Sequence, residues 1–563
     1  MLKNSMKRRI ISLILAAIFI SATVAACQPG NSYITIKDVQ YNISLDRLDL
    51  SHLELQYEDI VPLQRMINLR ELNLGNNGIS DLSPLSRLIR LERLYLDGNH
   101  IQSLEPLSEL IHLEILNLDS NQIQNLEPLS DLIHLRILYL DSNQIQNLEP
   151  LSHLKHLEIL HLNFNQIRDL KSLSDLVSLE ALHLRKNRIQ NLDPLSCVVS
   201  LTYLDLEDNQ ISDLFPLADL AKLMFLDLGS NEILNLEPLS NLKKLRSLSI
   251  ESNRIQDLSP LPELVSLEIL SLGDNMIKDL EPLSIMGTLS CLHLYKNQIS
   301  DLSPLSELTS LEILSLGLNE IQNLEPLSGL GNLEDLDLCS NQIQDLNPLS
   351  GLSNLRSLYL TDNLIQNLEP LTSMETLSCL SLGSNPISDI SPLSSLKNLG
   401  ELVLGRNQCI DDLFPISDLV NLRTLYLYDS DIGDLSPLSK LTGLQLLYLN
   451  GNRISDLSPL SALTGLQKLY LSDNRINDLA ILSMMAELTH LELDNNRISD
   501  LSPLPELKFL ERLSLNRNQI NNLLPLASLE NLKELELKDN PILDWSPVDH
   551  VQNVLGRPSN DNP

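Results

Sequence analysis

Residues 138–152 read LYLDSNQIQNLEPLS, and residues 116–130 read LNLDSNQIQNLEPLS. The fifteen letters return after 22 residues with one change, Tyr139 for Asn117. Copying this faithful makes an internal repeat the first question, because a period of roughly 20–50 residues marks a solenoid or an array. It also separates letters that are held from a letter that varies.

Aligned on asparagine, the repeat runs through almost the whole chain. Asn77, Asn99, Asn121, Asn143 and Asn165 open a series in which every twenty-second residue is Asn as far as Asn407. One extra residue follows, in Gln408-Cys409-Ile410, and the next register falls on Ser430. The spacing then resumes at Asn452, Asn474, Asn496, Asn518 and Asn540, which makes 22 registers, 21 of them Asn. A period kept this strictly predicts one long stacked body in place of a string of globular domains.

One unit shows what each letter does. Its frame is Leu69, Leu72, Leu74, Asn77, Ile79, Leu82, Leu85 and Leu88, with Pro84 before Leu85. Leu72 and Leu74 alternate with period two, so a brief strand puts both on one face. From Ile79 the spacing becomes three, which suits a 3₁₀-like or turn-rich return path. Pro stands in that path in 20 of 22 registers, with Ser172 and Ile481 the exceptions. Having no N–H, it belongs there and not in the strand. Such a coil cannot bury its leucines alone. Stacking buries them and pairs successive strands into one parallel sheet. Asn sits where the chain leaves the strand, and its amide can donate to and accept from backbone groups the turn would leave unpaired. The asparagines are therefore read as structural.

The pattern LxxLxLxxNxIxxLxPLxxL resembles the leucine-rich repeat family. The 22-residue length and the wording NQI-x-D/N-L-x-PLS-x-L are most similar to bacterial internalin-type repeats. The resemblance covers roughly residues 45–548, a solenoid of about 22 repeats. It implies an α/β-type solenoid, a horseshoe with a continuous parallel β-sheet on its concave face and 3₁₀ or turn segments on its convex face. It also implies a surface that binds proteins or other macromolecules. The LPxTG-like sorting signal and the β-sandwich domain of surface internalins have no counterpart here. Residues 27–44 are expected to form a linker and the start of an N-terminal cap. Residues 549–563 are expected to be a C-terminal cap remnant and a disordered tail, with Trp545 closing the last apolar coil.

The amino terminus carries a second signal. Lys3, Lys7, Arg8 and Arg9 precede an apolar run from Ile10 to Ile20, and small residues lead to Cys27. The run is short for a spanning helix, which needs about 20 apolar residues, and right for a signal peptide. Val24-Ala25-Ala26-Cys27 resembles the bacterial lipobox, with Val24 where Leu is commonest. That resemblance makes residues 1–26 a lipoprotein signal peptide and Cys27 the site of lipid attachment. The expected location is outside the cytoplasm, as a cell-envelope lipoprotein held to a membrane by that lipid. The other cysteines, Cys197, Cys291, Cys339, Cys379 and Cys409, form no CxxC and suggest neither a zinc site nor a disulfide framework. The net charge of −34 argues against nucleic acid and anionic headgroups, and for a basic partner or plain solubility.

With leucines and Asn committed, each strand leaves three outward positions: before, between and after the Leu pair. In the first unit these are Glu71, Asn73 and Gly75. Strands stack about 4.8 Å apart, so each position becomes a column along the concave face. The middle column holds Tyr95, Tyr139, His161, His183, His293, Tyr359, Tyr426, Tyr448 and Tyr470 among mostly polar residues. Tyr203 stands in the column before it, and Tyr295 and Tyr428 in the column after. Nine of the twelve tyrosines fall in these columns, more than strand propensity asks for, since that would bring Val, Ile and Thr as well. Tyrosine offers a partner a large rigid contact with a polar tip.

Two patches are expected. Tyr426, Tyr428, Tyr448 and Tyr470 occupy consecutive strands near the carboxyl end. Near the other end, Tyr95 and Tyr139 flank His161 and His183 beside the stacked acids Asp97, Asp119 and Asp141. Like charges that close repel, so this acidic column calls for a cation, more simply a basic partner side chain than calcium.

No GxSxG, HExxH, phosphate loop or GxGxxG emerges, and HLEILH at His156–His161 reflects the period, Leu157 and Leu160 being core positions. The expectation is a monomeric, non-enzymatic solenoid, without cofactor or resident metal, that binds a protein on its concave face. Two alternatives are an intracellular regulatory scaffold resembling the leucine-rich repeat subunit of protein phosphatase, and a structural envelope protein without a specific ligand.

Overall fold

The LxL letters of each repeat form a three-residue strand because only two leucines per turn need the extended backbone. The structure, a computed structural model, describes residues 32–407, 410 and 412–558. The expected signal segment, lipid attachment at Cys27, Cys409 and the last five residues lie outside the described residues.

Strands from Arg47–Asp49 through Asn553–Leu555 stack in chain order into one parallel sheet of 24. They pair in phase, so Leu138 lies opposite Leu116 on one side and Leu160 on the other. Among the described residues no register joins the first of these strands to the last, so the ribbon has two ends. Glu401 pairs with Thr424, so the extra residue after Asn407 is absorbed outside the sheet and the columns continue unbroken.

After each strand the chain turns sharply. The residue before each frame Asn adopts a left-handed conformation, with φ near +56° at Asn76, Ser120 and Phe164 alike. The Asn then ties two coils together. Asn143 Nδ2 donates to the carbonyls of Leu118 (3.0 Å) and Leu140 (3.2 Å), and its Oδ1 accepts from the Ile123 N–H (2.9 Å). These are groups that no strand satisfies, and the amide is buried with them. At the irregular register the Ser430 hydroxyl donates to the Tyr428 carbonyl at 2.9 Å, and the link to the next coil comes from Asn452, whose Oδ1 accepts the Ser430 N–H at 3.2 Å. The return path contains a short 3₁₀ turn in every repeat, such as Glu149–Leu151, with Pro at its start. Leu, Ile and a few Met side chains from all repeats form one continuous column of core. Each fully buried Leu contributes about 1.5–3 kcal/mol relative to exposure.

The ends differ from the body. Residues 32–44 carry an antiparallel hairpin, β1 Tyr33–Ile36 with β2 Val39–Asn42, which buries Ile34 and Ile36. A short helix, α1 Tyr57–Ile60, follows in the first coil. At the other end the expected boundary at 548 is too early. Asn553–Leu555 adds a last strand, with Asn553 opposite Glu534, and Val548 and Val551 are buried beneath it. Residues 549–558 are therefore part of the stack, because the apolar alternation through Val551 and Val554 continues the coil without the Asn register. Trp545 packs against the core one repeat beyond Leu523, as expected for a closing residue.

Candidate functional site

The outward columns place side chains of successive repeats one strand apart, and aromatic rings there stack. Tyr139 meets His161 edge-on at 4.7 Å between ring centroids. His161 lies 3.9 Å from His183, and His183 stacks on Tyr203 at 4.5 Å. Phe225 follows at 6.0 Å. This ridge crosses five strands and shifts columns on the way, since Tyr203 and Phe225 precede the Leu pair while the other three lie within it. Tyr95 stands apart, with Asn117 between it and Tyr139. The histidines are thus flanked by Tyr139 and Tyr203, in place of the expected Tyr95 and Tyr139.

The second ridge is more regular. Tyr426, Tyr448 and Tyr470 stack at 4.6 Å and 3.9 Å with their planes within 13° and 5°. Burial raises the Tyr470 hydroxyl above the usual phenol range, and its hydrogen bond with Tyr448 adds to this. Stacking in this second ridge uses the ring faces and leaves ring edges and hydroxyls outward, whereas the first ridge mixes edge-on, tilted and stacked contacts. Tyr428, on the first strand of this patch, lies over Gly405 instead of joining the stack, and the Arg406 guanidinium sits 5.8 Å from its ring.

Between the ridges, Tyr295 lies across Gly273 and donates from its hydroxyl to Glu251 Oε2 at 2.9 Å, two strands away. Burial, and then this bond to a carboxylate, push its hydroxyl up to about 12. His293 Nε2 contacts Cys291 Sγ at 3.2 Å, and Tyr359 is hydrogen-bonded to Cys379. Three of the four described free cysteines therefore line the outward face: Cys291, Cys339 and Cys379. Cys197 is exposed on a return path.

The acidic column is structural in a way the spacing did not reveal. Asp119 Oδ1 accepts from the Asp141 N–H at 2.7 Å, and Asp141 Oδ1 accepts from the Asn163 N–H at 2.6 Å. Asn163 and Asn516 repeat the bond to Arg185 and Lys538. These N–H groups fall just past the end of a three-residue strand, and the side chain one repeat back supplies their acceptor. Asp97 instead accepts from Asn76 Nδ2 at 2.9 Å. Burial lifts the Asp119 carboxyl to about 6, which lowers the mutual repulsion further. Asp119 and Asp141 thus each have a backbone partner within the sheet's edge. Another cluster of acids, Asp205, Glu207 and Asp227, lies beside Tyr203 and Phe225. They form the one group of three potential ligands whose donor atoms all lie within 4.8 Å of one another among the described residues. Glu207 is already paired with Arg185 at 2.9 Å.

His161 Nδ1 stands 3.5 Å from Asp141 Oδ2. His183 is different: burial, and then the neighbouring His161, lower its pKa to about 4, so it is neutral at pH 7.

Phe225, Glu251, Gly273 and Gly405 were not picked out from the sequence. A signal for the glycines exists. Gly273 and Gly405 each stand one register before an outward Tyr, Tyr295 and Tyr428, whose ring fills the space a side chain would take.

The family description "Leucine Rich repeats (2 copies)" matches residues 89–131, 133–176, 177–222, 243–285, 331–373, 375–419, 420–462 and 464–506, more than half of the chain. A single leucine-rich repeat matches residues 65–82. These matches describe repeats and name no catalytic domain. Comparison with curated proteins gives no match. Among solved structures, an internalin (inlF) from Listeria monocytogenes is 33% identical, over 56% of this chain and 88% of that one, with a TM-score of 0.48. A leucine-rich repeat protein of Leptospira interrogans is 25% identical over 73% of this chain and 98% of that one, with a TM-score of 0.52. A plant peptide hormone receptor, RGFR1, solved in complex with RGF2, shares the fold at 19% identity over 91% and 95%, with a TM-score of 0.55.

Proposed function

The chain belongs to the leucine-rich repeat family, and we propose that it is an exported, lipid-anchored, internalin-like protein that binds a protein partner on its concave face. The observation that carries this reading is the pair of aromatic ridges, Tyr139–His161–His183–Tyr203–Phe225 and Tyr426–Tyr448–Tyr470. A fold needs neither of them, because the leucine column and the Asn ladder already hold the repeats. Rows of aromatic rings and hydroxyls suit a protein surface, giving rigid contact area at low entropic cost with donors and acceptors along it. Asp227 and Asp205 beside the first ridge lie in no ion pair among the described residues, though each accepts a backbone N–H, and this acidic character favours a partner with a basic side chain there. Recognition by a long rigid surface requires no chemistry, and the protein acts without a catalytic step.

Anchoring rests on Cys27 and the basic, apolar and small-residue sequence before it. Labelling cells with a radiolabelled fatty acid tests it. The label and membrane fractionation are expected for the natural chain and lost in Cys27→Ala. Retention of both in the variant rejects the anchor.

Binding is tested with the mature chain immobilised against proteins of the extracellular medium and of neighbouring cell surfaces. Proteins held by the natural surface should be lost when Tyr426, Tyr448 and Tyr470 are all replaced by Ser, or when His161 and Tyr203 are. Capture unchanged in both variants, with melting temperatures close to the parent, overturns the concave-face reading and leaves the structural envelope protein.

A further inference from the structure

On the flank of the coil, where the return path approaches the strand, the repeat carries aliphatic side chains that the core does not use. Ile67, Ile89, Ile111 and Ile133 hold one register in four consecutive repeats, each two residues before a buried Leu. They are 46 to 54% exposed. In other repeats this register is Lys155, Lys243, Thr309 or Glu375, so packing does not require an aliphatic side chain there. Lys155 breaks the run before the shorter Val177 and Val199. The four coils stay in phase beside the isoleucines. Three residues further on, the Glu92 N–H donates to the Arg70 carbonyl and the Glu114 N–H to the Glu92 carbonyl, both at 2.8 Å, and the Arg136 N–H to the Glu114 carbonyl at 2.9 Å. The isoleucines therefore form one stripe, about 15 Å long at the strand spacing.

The stripe begins where the described chain begins. Arg65, two residues before Ile67, donates from Nη1 to the Tyr33 carbonyl at 3.3 Å. Tyr33 and Val39 of the hairpin are exposed as well. Cys27 stands five residues before Ser32, and a stretch of five residues spans at most about 18 Å. A lipid on Cys27 would thus hold the first coils, and the stripe with them, next to the bilayer surface.

We propose that this flank lies on the lipid surface that anchors the chain, with Ile67, Ile89, Ile111 and Ile133 entering the boundary between headgroups and acyl chains. The inference rests on lipid attachment at Cys27 and adds to it a second contact. Aliphatic side chains suit a lipid surface, which needs no matching shape and no matching donors. Four half-exposed isoleucines fall short of the about 800 Å² that each partner buries in a standard protein interface. Beside a lipid they are enough, because stable attachment takes two signals, each weak alone. The residues that follow three of the isoleucines, Arg90, His112 and His134, are exposed and can donate to phosphates at headgroup level. Lys155 can reach the same level from the end of the stripe. The net charge of −34 opposes a wider contact with those phosphates, so the contact stays at this end. A tether at Cys27 alone leaves the solenoid free to swing. The stripe fixes its tilt and presents the concave ridges at a set angle to the membrane.

The test takes the lipid-bearing chain from its membrane fraction and returns it to phosphatidylcholine vesicles in which some acyl chains carry a diazirine. Photolysis should label the segments that hold Ile67, Ile89, Ile111 and Ile133. Val265 and Val420, exposed in the same register far along the stack, should stay unlabelled. Replacing Ile89 and Ile111 by Ser should remove most of the label, and replacing both by Val should keep it. Both positions are exposed, so the variants should melt with the parent. An unlabelled stripe on a chain that sits on the vesicles by its lipid overturns the proposal and leaves the anchor standing, as does equal label at Val265 and Val420. A chain that carries no lipid on Cys27 removes the anchor, and the stripe falls with it when that chain also stays off the vesicles.

Discussion

His161 and His183 lie 3.9 Å apart between ring centroids, yet they occupy opposite electrostatic situations. His161 has Asp141 at 3.5 Å, and His183 has no acid in ion-pair range among the described residues. Burial holds His183 down to about 4, while burial holds Asp119, three strands away, up to about 6. The two act in opposite directions on stability. The lowered His183 contributes stability that is present above about pH 6.5 and is lost as pH falls toward 4. The raised Asp119 contributes stability that is present below about pH 3.8 and is lost as pH rises through 6. Between pH 4 and 6 they offset, and Asp119→Asn should unmask the histidine. The variant keeps an acceptor for the Asp141 N–H and should be more stable at pH 7 by about 1 kcal/mol, allowing for the solvent that still reaches the carboxyl. Its melting temperature should then fall more steeply than the parent's from pH 6.5 to 4. A less stable variant at pH 7 would mean the carboxylate's bond to the backbone outweighs its burial.

Gly273→Ala should cost the concave face one specific contact. An added Cβ would sit 2.3 Å from the Tyr295 ring, so the ring must swing away from Glu251. The backbone at Gly273 tolerates alanine, and the repeat should stay folded. The lost hydroxyl–carboxylate bond should lower stability by about 1 kcal/mol. Ultraviolet titration of tyrosinate should show one phenol leaving the high end near 12 and returning toward the ordinary value. If the titration curve does not move, the ring does not depend on the glycine.

The frame was legible because it obeys a period. In LYLDSNQIQNLEPLS the leucines, Ile145, Asn143 and Pro150 could be assigned from spacing alone, and each is where the spacing puts it. Tyr139 was legible as an outward letter, because alternation settles its face. What spacing could not give is where a side chain points along the face. Tyr203 leaves its column to stack on His183, and Tyr428 stays out of the stack it was grouped with because Gly405 offers its ring a bed. Asp141 was read as a charge facing a partner and turns out to cap the next backbone, since strand length is set by hydrogen bonds a pattern does not display. The remaining letters also have partners. Asn147 Oδ1 accepts from the Glu149 N–H at 2.9 Å, and Gln144 Oε1 accepts from Gln124 at 2.7 Å.

Asn143→Ala should be among the most damaging single changes of a polar residue. It removes four hydrogen bonds and leaves the Ile123 N–H buried without its partner, while the Leu118 and Leu140 carbonyls keep one donor each, from Asn121 and Asn165. The orphaned N–H carries a desolvation penalty of about 1–3 kcal/mol and each further lost bond about 0.5–1.5 kcal/mol, partly relieved by relaxation or water entry, so a loss of about 2–4 kcal/mol is expected. Asn143→Asp should also destabilise, because the carboxylate accepts but cannot donate to the two carbonyls. Urea denaturation of the three chains checks the order, and an Ala variant within about 0.5 kcal/mol of the parent would reject the ladder as a principal support.

The left-handed residue before each Asn makes the opposite kind of prediction. Most repeats place Asn, Asp, Ser or Gly there, but Leu318 holds φ at +57° and Phe164 at +56°. A residue with a bulky Cβ substituent in this region costs roughly 1–2 kcal/mol relative to the right-handed form, and Asn visits it more readily. Leu318 is 54% exposed, so its replacement gives up little burial. Leu318→Asn should therefore raise stability by about 0.5–1 kcal/mol, seen as a higher urea midpoint with an unchanged slope. Phe164 has something to lose, because the Lys186 ammonium lies 5.0 Å from its ring centroid. That contact stabilises an exposed site by about 0.5–1 kcal/mol, so Phe164→Asn should be close to neutral. Paired measurement separates the two causes. Equal gains at both positions would show that the ring and Lys186 contribute nothing, and a loss at Leu318 would show that its side chain is held by packing and not merely tolerated by the turn.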